Sequence, residues 1–144
     1  MTAELHAVLY ASRALVPFTK VDLVELATRA IEKNEARDVT GYLWFDGSMF
    51  LQYFEGPPDT VADLEAKLRS DDRHEIIKLF RRTIPANERR FGEWHMRLMN
   101  DVARDEMHME GVLIALLEIP EGDDAPRATS AWALTDRLSN LQAG

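Results

Sequence analysis

The chain has 144 residues, 46% of them hydrophobic, enough for one domain with a buried core. A formal net charge of −8 and a pI of about 5.0 argue against any general electrostatic affinity for nucleic acid. The absence of cysteine excludes disulfides, thiolate metal sites and a cysteine nucleophile.

No apolar run approaches the length of a membrane span, and MTAELHAVLY lacks the basic start and cleavage site of a secretory leader. A soluble cytoplasmic protein is therefore expected, with neither membrane nor nucleic acid as partner. In chain order, LHAVLYAS (5–12) reads as a first strand. A helix follows, with Thr19 as N-cap, Asp22 three residues on, and an apolar stripe of Leu23, Ala27 and Ala30/Ile31 that Asn34 continues. VTGYLWF (39–45), Asp46-Gly47 and SMFLQYFE (48–55) read as a hairpin, because Asp-Gly supplies the positive φ that a tight turn needs. Pro57 and Pro58 open a second helix with Val61, Leu64 and Leu68 on its stripe. EIIKLFRRTI (75–84) and RFGEWHMRLM (90–99) read as a fourth and fifth strand.

The order βαββαββ predicts an α+β fold of ferredoxin-like type, with both helices on one face of the sheet. Alternation puts Phe50, Gln52 and Phe54 on one face of their strand and Leu51 and Tyr53 on the other. A sheet apolar on both sides needs cover on both sides. MHMEGVLIALLEI (107–119) and TSAWALTDRLSNLQ (129–142), joined by acidic EGDDAPRA, are read as C-terminal helices supplying it. Met107 and Met109 are read as gap-filling, and the pairs Arg81-Arg82 and Arg89-Arg90 as solvated strand ends, with a phosphate or a partner as alternative contacts.

Gln52 is the polar intruder in FLQYFEG, and a buried amide without partners costs roughly 1–3 kcal/mol. By the topology its face could look toward the two helices. Asn34 comes off the buried stripe of the first helix, and Tyr10, at the end of the first strand, can share a face with Val8 and His6. Two amides and a phenol could thus converge where Ala27 and Ala30 leave a slot, a set suited to a planar heteroaromatic ligand with mixed donors and acceptors. The plainer reading is that main-chain carbonyls or water meet each group, and for each residue taken singly the pattern favours it. His6, His74, His95 and His108 show no metal-ligand spacing, and neither a phosphate-cradling glycine loop nor a Ser/His/Asp arrangement stands out.

LYASRA, NEARDVTGYLWFDGSMFLQYFEGP, DDRHEI and RRFGEWHM, in this order and spacing, resemble the BLUF family of blue-light sensors using FAD, over roughly residues 4–99. The resemblance implies a flavin-binding sensor domain over residues 1–100 and a helical extension over 101–144. It implies FAD as cofactor, with FMN or riboflavin as alternatives, and a photoreceptor in place of an enzyme. Tyr10 matches the photo-active tyrosine, Gln52 the glutamine bridging it to the flavin, and Asn34 the asparagine at the flavin's polar edge. Lys33, Lys67, Asp71, Arg73 and His74 fall at cofactor-binding positions, and Trp94 and Met96 at positions associated with signal relay. Lys33 stands where relatives often carry an amide or a histidine. Lys67 stands where an arginine is frequent, and a lysine does not replace an arginine in bidentate contacts; it is also readable as plain helix surface.

The residues after 100 are too few for a cyclase or phosphodiesterase domain, so output is expected through an unidentified downstream protein or through self-association. Trp132, Leu134 and Leu138 offer apolar surface for a homo-oligomer, unless they cover the sheet. The rival readings are a flavin-free ferredoxin-like interaction module and a small flavoenzyme; the lack of a nearby catalytic base argues against the enzyme.

Overall fold

The computed structural model describes residues 4–92, 95–99, 106–119 and 129–138. The elements are β1 (Glu4–Ala14), α1 (Lys20–Arg37), β2 (Thr40–Phe45), β3 (Met49–Gly56), α2 (Pro58–Ser70), β4 (His74–Pro85), a 3-10 turn (Ala86–Glu88), β5 (Arg97–Leu98), α3 (Glu106–Leu117) and α4 (Thr129–Leu138). One five-stranded sheet runs β4-β1-β3-β2-β5. Its first four strands pair antiparallel, as a ferredoxin-like sheet does, and β5 lies parallel to β2.

Local chemistry sets the ends of these elements. The Thr19 hydroxyl accepts the Asp22 N–H at 3.1 Å and the Asp22 carboxylate accepts the Thr19 N–H at 2.8 Å, a capping box that starts α1. The helix ends at Asp38, left-handed at φ 59°, whose N–H returns to the Asn34 carbonyl. In the hairpin the Asp46 carboxylate takes the N–H groups of Ser48 and Met49 at 2.8 and 2.6 Å, and Gly47 supplies φ 107°. α2 has no side-chain cap and begins on Pro57-Pro58, where a missing N–H costs nothing.

Both faces of the sheet are covered, as the alternation requires. On the front, Val8, Tyr10, Phe45, Phe50 and Phe54 cluster with Leu23 of α1, Val61 of α2 and Met96. On the back, Ala7, Leu9, Tyr42, Trp44, Leu51 and Tyr53 cluster with Met109, Val112, Leu113 and Leu116 of α3 and Ala131 and Trp132 of α4. Trp132 is buried and Leu134 packs against the same cluster, so both are used within the chain as cover for the sheet. The side chain of Leu138 and all of Trp94 lie outside the described residues.

Three expectations need correction. β1 runs on to Ala14, so Tyr10 sits mid-strand. The fifth strand is two residues long, because side chains take main-chain groups before it that a ladder would have used: the Glu55 carboxylate accepts the N–H groups of Arg90 and Phe91, and Asn34 donates to the His95 carbonyl. The arginine pairs are not simply solvated. Arg81 reaches Glu65 at the surface, but the side chains of Arg82 and Arg89 are 15% and 16% exposed. Arg82 stacks on Trp132 at 4.4 Å and Arg89 holds the Asp38 carbonyl and the Thr40 hydroxyl.

A register shift in the β1–β4 ladder bears on the front face. Ala11 pairs with Lys78 but Ser12 with Ile76, so Ile77 is an extra residue without a partner on β1. Side chains alternate along a strand, so one inserted residue reverses the facing of everything beyond it. Leu79 and Ile76 both pack in the front cluster, and His74 follows on that same side.

Two outcomes follow from this packing. A Cβ on Gly41 would lie 1.9 Å from the Tyr53 carbonyl oxygen, inside the β2–β3 ladder. Gly41→Ala should therefore cost on the order of 3 kcal/mol in urea unfolding, the upper end of ordinary overpacking. The chain's three tyrosines, Tyr10, Tyr42 and Tyr53, are all buried, and burial pushes each phenol above its ordinary value, helped by the charge of Asp71 at Tyr10 and of Glu55 at Tyr53. An ultraviolet titration of the folded protein should show no phenolate at a pH of about 10, where the denatured chain titrates. Because the unfolded chain loses those protons first, stability should fall as pH rises past about 10.

Candidate functional site

Between the front of the sheet and helices α1 and α2 lies a cavity of about 490 Å³, within the range of roughly 300–1,000 Å³ typical of small-molecule sites. β1 and β3 supply its polar floor. Tyr10 and Gln52 are direct partners in the antiparallel register, so their side chains leave the same face side by side. The phenol donates to Gln52 Oε1, and Gln52 Nε2 points at the Met96 sulfur at 3.5 Å. This amide therefore has one strong partner and one weak one, since a thioether is a poor acceptor.

Asn34, 5% exposed, projects from the last turn of α1 and donates through Nδ2 to the His95 carbonyl at 2.7 Å. Its Oδ1 meets no donor among the described residues. His74 is fixed at both nitrogens: Nε2 donates to the Leu68 carbonyl at the end of α2 at 2.8 Å, and Nδ1 lies 2.7 Å from the buried Ser12 hydroxyl. A carbonyl can only accept, so the proton sits on Nε2 and Ser12 donates to Nδ1 in the neutral ring. The imidazole meets the Tyr10 ring edge-on at 6.0 Å. Asp71 and Arg73 form a two-pronged ion pair at 2.7 and 3.0 Å. The Arg73 hydrogen bond holds the Asp71 carboxyl down at about 2, so it is ionised at neutral pH.

All eight residues singled out as flavin contacts, Tyr10, Lys33, Asn34, Gln52, Lys67, Asp71, Arg73 and His74, line this one cavity. Met96 is buried against Gln52. Lys67 is 65% exposed and bridges to Asp63 at 3.3 Å, so it belongs to the helix surface and to the rim at once. Residues that sequence reasoning passed over also line the space: Arg29 and Arg37 on the rim, and Phe18, Leu26 and Leu43 on its walls. Ser12, behind His74, was missed too. It shares the face of Tyr10 two residues on, a signal that alternation within LHAVLYAS already carried.

The donor set fits a flavin. The apolar walls suit a planar ring system. The amides and the phenol match its mixed donor and acceptor edge, and Arg29, Lys33, Arg37, Lys67 and Arg73 outnumber Asp22, Glu25 and Asp71, leaving net positive charge for a phosphate-bearing tail. Among the described residues no group of histidines and carboxylates could hold a metal ion, and no helix is long and apolar enough to cross a membrane.

Comparison with known proteins agrees with this geometry. The chain matches the family described as sensors of blue-light using FAD (BLUF) over residues 5–97. The photoactivated adenylate cyclase subunit alpha of Euglena gracilis is 33% identical over 90 residues, 62% of this chain and 9% of that protein. The blue light- and temperature-regulated antirepressor BluF of Escherichia coli (strain K12) is 38% identical over 85 residues, 58% of this chain and 20% of that protein. The chain thus spans a small part of these relatives, and the cyclase activity in the first name belongs to the much larger protein. Among solved structures, the dark state of the BLUF protein BlrB superposes with a TM-score of 0.69 at 25% identity, covering 98% of this chain and 99% of that one. The BLUF structure of BlrP1 gives 0.60 at 26% identity, covering 93% and 88%. A family match from β1 into β5, a sheet of the same architecture and a cavity of flavin-binding chemistry make this chain a member of the BLUF family of flavin-binding blue-light sensors.

Proposed function

We propose that the cavity holds FAD and that Tyr10 and Gln52 convert absorbed blue light into a changed hydrogen-bond pattern. The single observation that supports this reading is the buried phenol-to-amide hydrogen bond opening onto a cavity of the right size and polarity. The flavin, when bound, supplies the absorption of blue light and, once excited, a strong electron acceptor.

The chain's residues do the rest. Tyr10 is the donor: as it gives up an electron, its phenolic proton passes along the hydrogen bond to Gln52 Oε1, so that no uncompensated charge stays on the buried phenol. Its raised pKa keeps the phenol protonated, and therefore ready to donate, across the whole neutral range. Gln52 stores the event. While Oε1 faces the phenol, Nε2 has the weak Met96 sulfur as its partner within the chain, and rotation or tautomerisation of the amide exchanges the two ends. Asn34 binds with the Oδ1 that its bond to His95 leaves over, and the rim cations Lys33, Lys67 and Arg73 take the phosphates. Met96 is the relay residue, since it touches the atom of Gln52 that changes partner. Residues 1–100 act as the sensor and 101–144 as a helical extension that carries the output to a downstream protein.

The absorption spectrum of the purified protein, in the dark and under blue light, is the direct test. A flavin spectrum that shifts to the red and relaxes in the dark is expected; a colourless protein that takes up no added FAD would overturn the reading in favour of a flavin-free interaction module. Tyr10→Phe and Gln52→Leu should each keep the flavin, with affinity changed by no more than about tenfold, since one hydrogen bond is worth on the order of 1 kcal/mol, and each should lose the reversible shift. Deleting Ile77 should return β4 to a regular register while leaving His74 opposite Ala14 on the cavity face, and so change flavin affinity by less than about tenfold in a fluorescence titration.

A further inference from the structure

The back of the sheet holds a second polar system that the photochemistry does not use. Glu55 is fully buried on β3, three residues beyond Gln52, and its carboxylate accepts the Phe91 N–H at 2.7 Å and the Arg90 N–H at 2.5 Å. The Tyr53 hydroxyl donates to Glu55 at 3.1 Å and accepts from Arg82 at 3.0 Å. The Arg82 guanidinium grips Asp136 of α4 through two nitrogens, at 2.7 and 3.1 Å, and stacks on Trp132 of the same helix. These contacts form one unbroken chain from the β4–β5 connection to the C-terminal helix.

The front-face site meets that chain through the same connection. Asn34 and Gln52 hold His95 and Met96, and Glu55 holds Arg90 and Phe91, a few residues earlier. A change of partner at Gln52 therefore acts on a stretch of backbone whose other anchor is Glu55. We propose that Glu55 and Arg82 are positioning residues for the light response, passing a rearrangement at Gln52 through Tyr53 to Asp136 and so setting how tightly α4 is held. This rests on the flavin reading given above. The latch is suited to the task because it is incomplete: the buried Arg82 Nε meets no acceptor among the described residues, so the guanidinium's hydrogen bonds run through Nη1 and Nη2, with the Trp132 stack beside them. The charge-assisted bonds at Asp136, from Arg82 and at 3.7 Å from Arg90, tie the sheet side to α4, and releasing them loosens the helix.

The test is hydrogen exchange over residues 129–138 in the flavin-loaded protein, dark and under continuous blue light, for the wild type, Glu55→Gln and Asp136→Asn. The wild type should exchange faster in the light by on the order of tenfold, the effect of loosening one charge-assisted hydrogen bond. Both variants should keep the reversible red shift but show a light-to-dark ratio of less than roughly twofold. A merely structural role would speed exchange equally in dark and light and leave the ratio at the wild-type value, which would overturn the proposal. A wild type that shifts its spectrum without any change at 129–138 would also overturn it while leaving the photoreceptor reading intact; a wild type that binds no flavin removes both. Asp136 is partly exposed, so its variant folds even where loss of the buried Glu55 carboxylate proves too disruptive.

Discussion

The hydrogen bond between Tyr10 and Gln52 sets the terms for the rest of the molecule. It joins two buried polar side chains on adjacent central strands, and it exists because the β1–β3 register places the two residues opposite one another. A slip of one residue would send Gln52 through the sheet into the apolar cluster under α3 and α4, where an amide without partners is costly. The strand that carries Gln52, β3, is also fixed against its other neighbour, β2, from both sides. On the front it is held by the aromatic packing of Phe18, Phe45 and Phe50. On the back it is held by the stacked rings of Tyr42 and Tyr53 with Phe91 against them.

The two faces differ in the kind of polar chemistry they bury. The floor of the cavity carries Tyr10, Gln52 and Asn34, neutral groups whose donors and acceptors can be exchanged without moving a net charge. The back face carries ionic groups, with Glu55 under Tyr53, Arg82 on Asp136, and the Lys78 ammonium on the Ile119 carbonyl just beyond the end of α3. Burial pushes the Glu55 carboxyl up, and the Phe91 and Arg90 amides pull it back toward the ionised form. Neutral hydrogen bonds switch readily and charged ones hold firmly, so the division gives a changeable site in front and a clamp behind. The clamp also guards the sheet: β4 is an edge strand, and cations along it discourage pairing with a second sheet.

Much of this was legible in the sequence because it rests on short-range rules. The capping box at Thr19, the Asp-Gly hairpin and the two-sided alternation of β3 each depend on residues close together, and the fold order followed from them. The convergence of Tyr10, Asn34 and Gln52 could be raised from periodicity but not settled by it, because convergence depends on strand pairing between residues 42 apart. Three features left no such trace. The insertion of Ile77 is visible only in the β1 partner, since EIIKLF reads equally well as an unbroken strand. The shortness of β5 comes from Glu55, 42 residues away from Arg97, taking the N–H groups that precede it. The burial of Arg82 comes from α4 closing over it, whereas its neighbours in sequence suggest a solvated strand end.

The energetics of the switch proposed at Gln52 select where its effect can appear. One rewired neutral hydrogen bond is worth on the order of 1 kcal/mol, a factor of about five in an equilibrium, whereas taking a two-state element from almost wholly closed to almost wholly open needs about 5.5 kcal/mol. The front helices cannot respond on that scale: α1 has 18 residues, a capping box at its start and a buried stripe. α4 is different. Its buried residues Ala131, Trp132 and Thr135 all face the sheet, so its order leans on docking. That docking rests on Trp132, on the Tyr42–Thr135 hydroxyl pair at 2.9 Å, and on an Arg82–Asp136 grip that lacks its full complement of bonds. On the proposed mechanism α4, docked through these few contacts, is the element placed to answer an input of this size, at the far end of the polar chain from the β4–β5 connection.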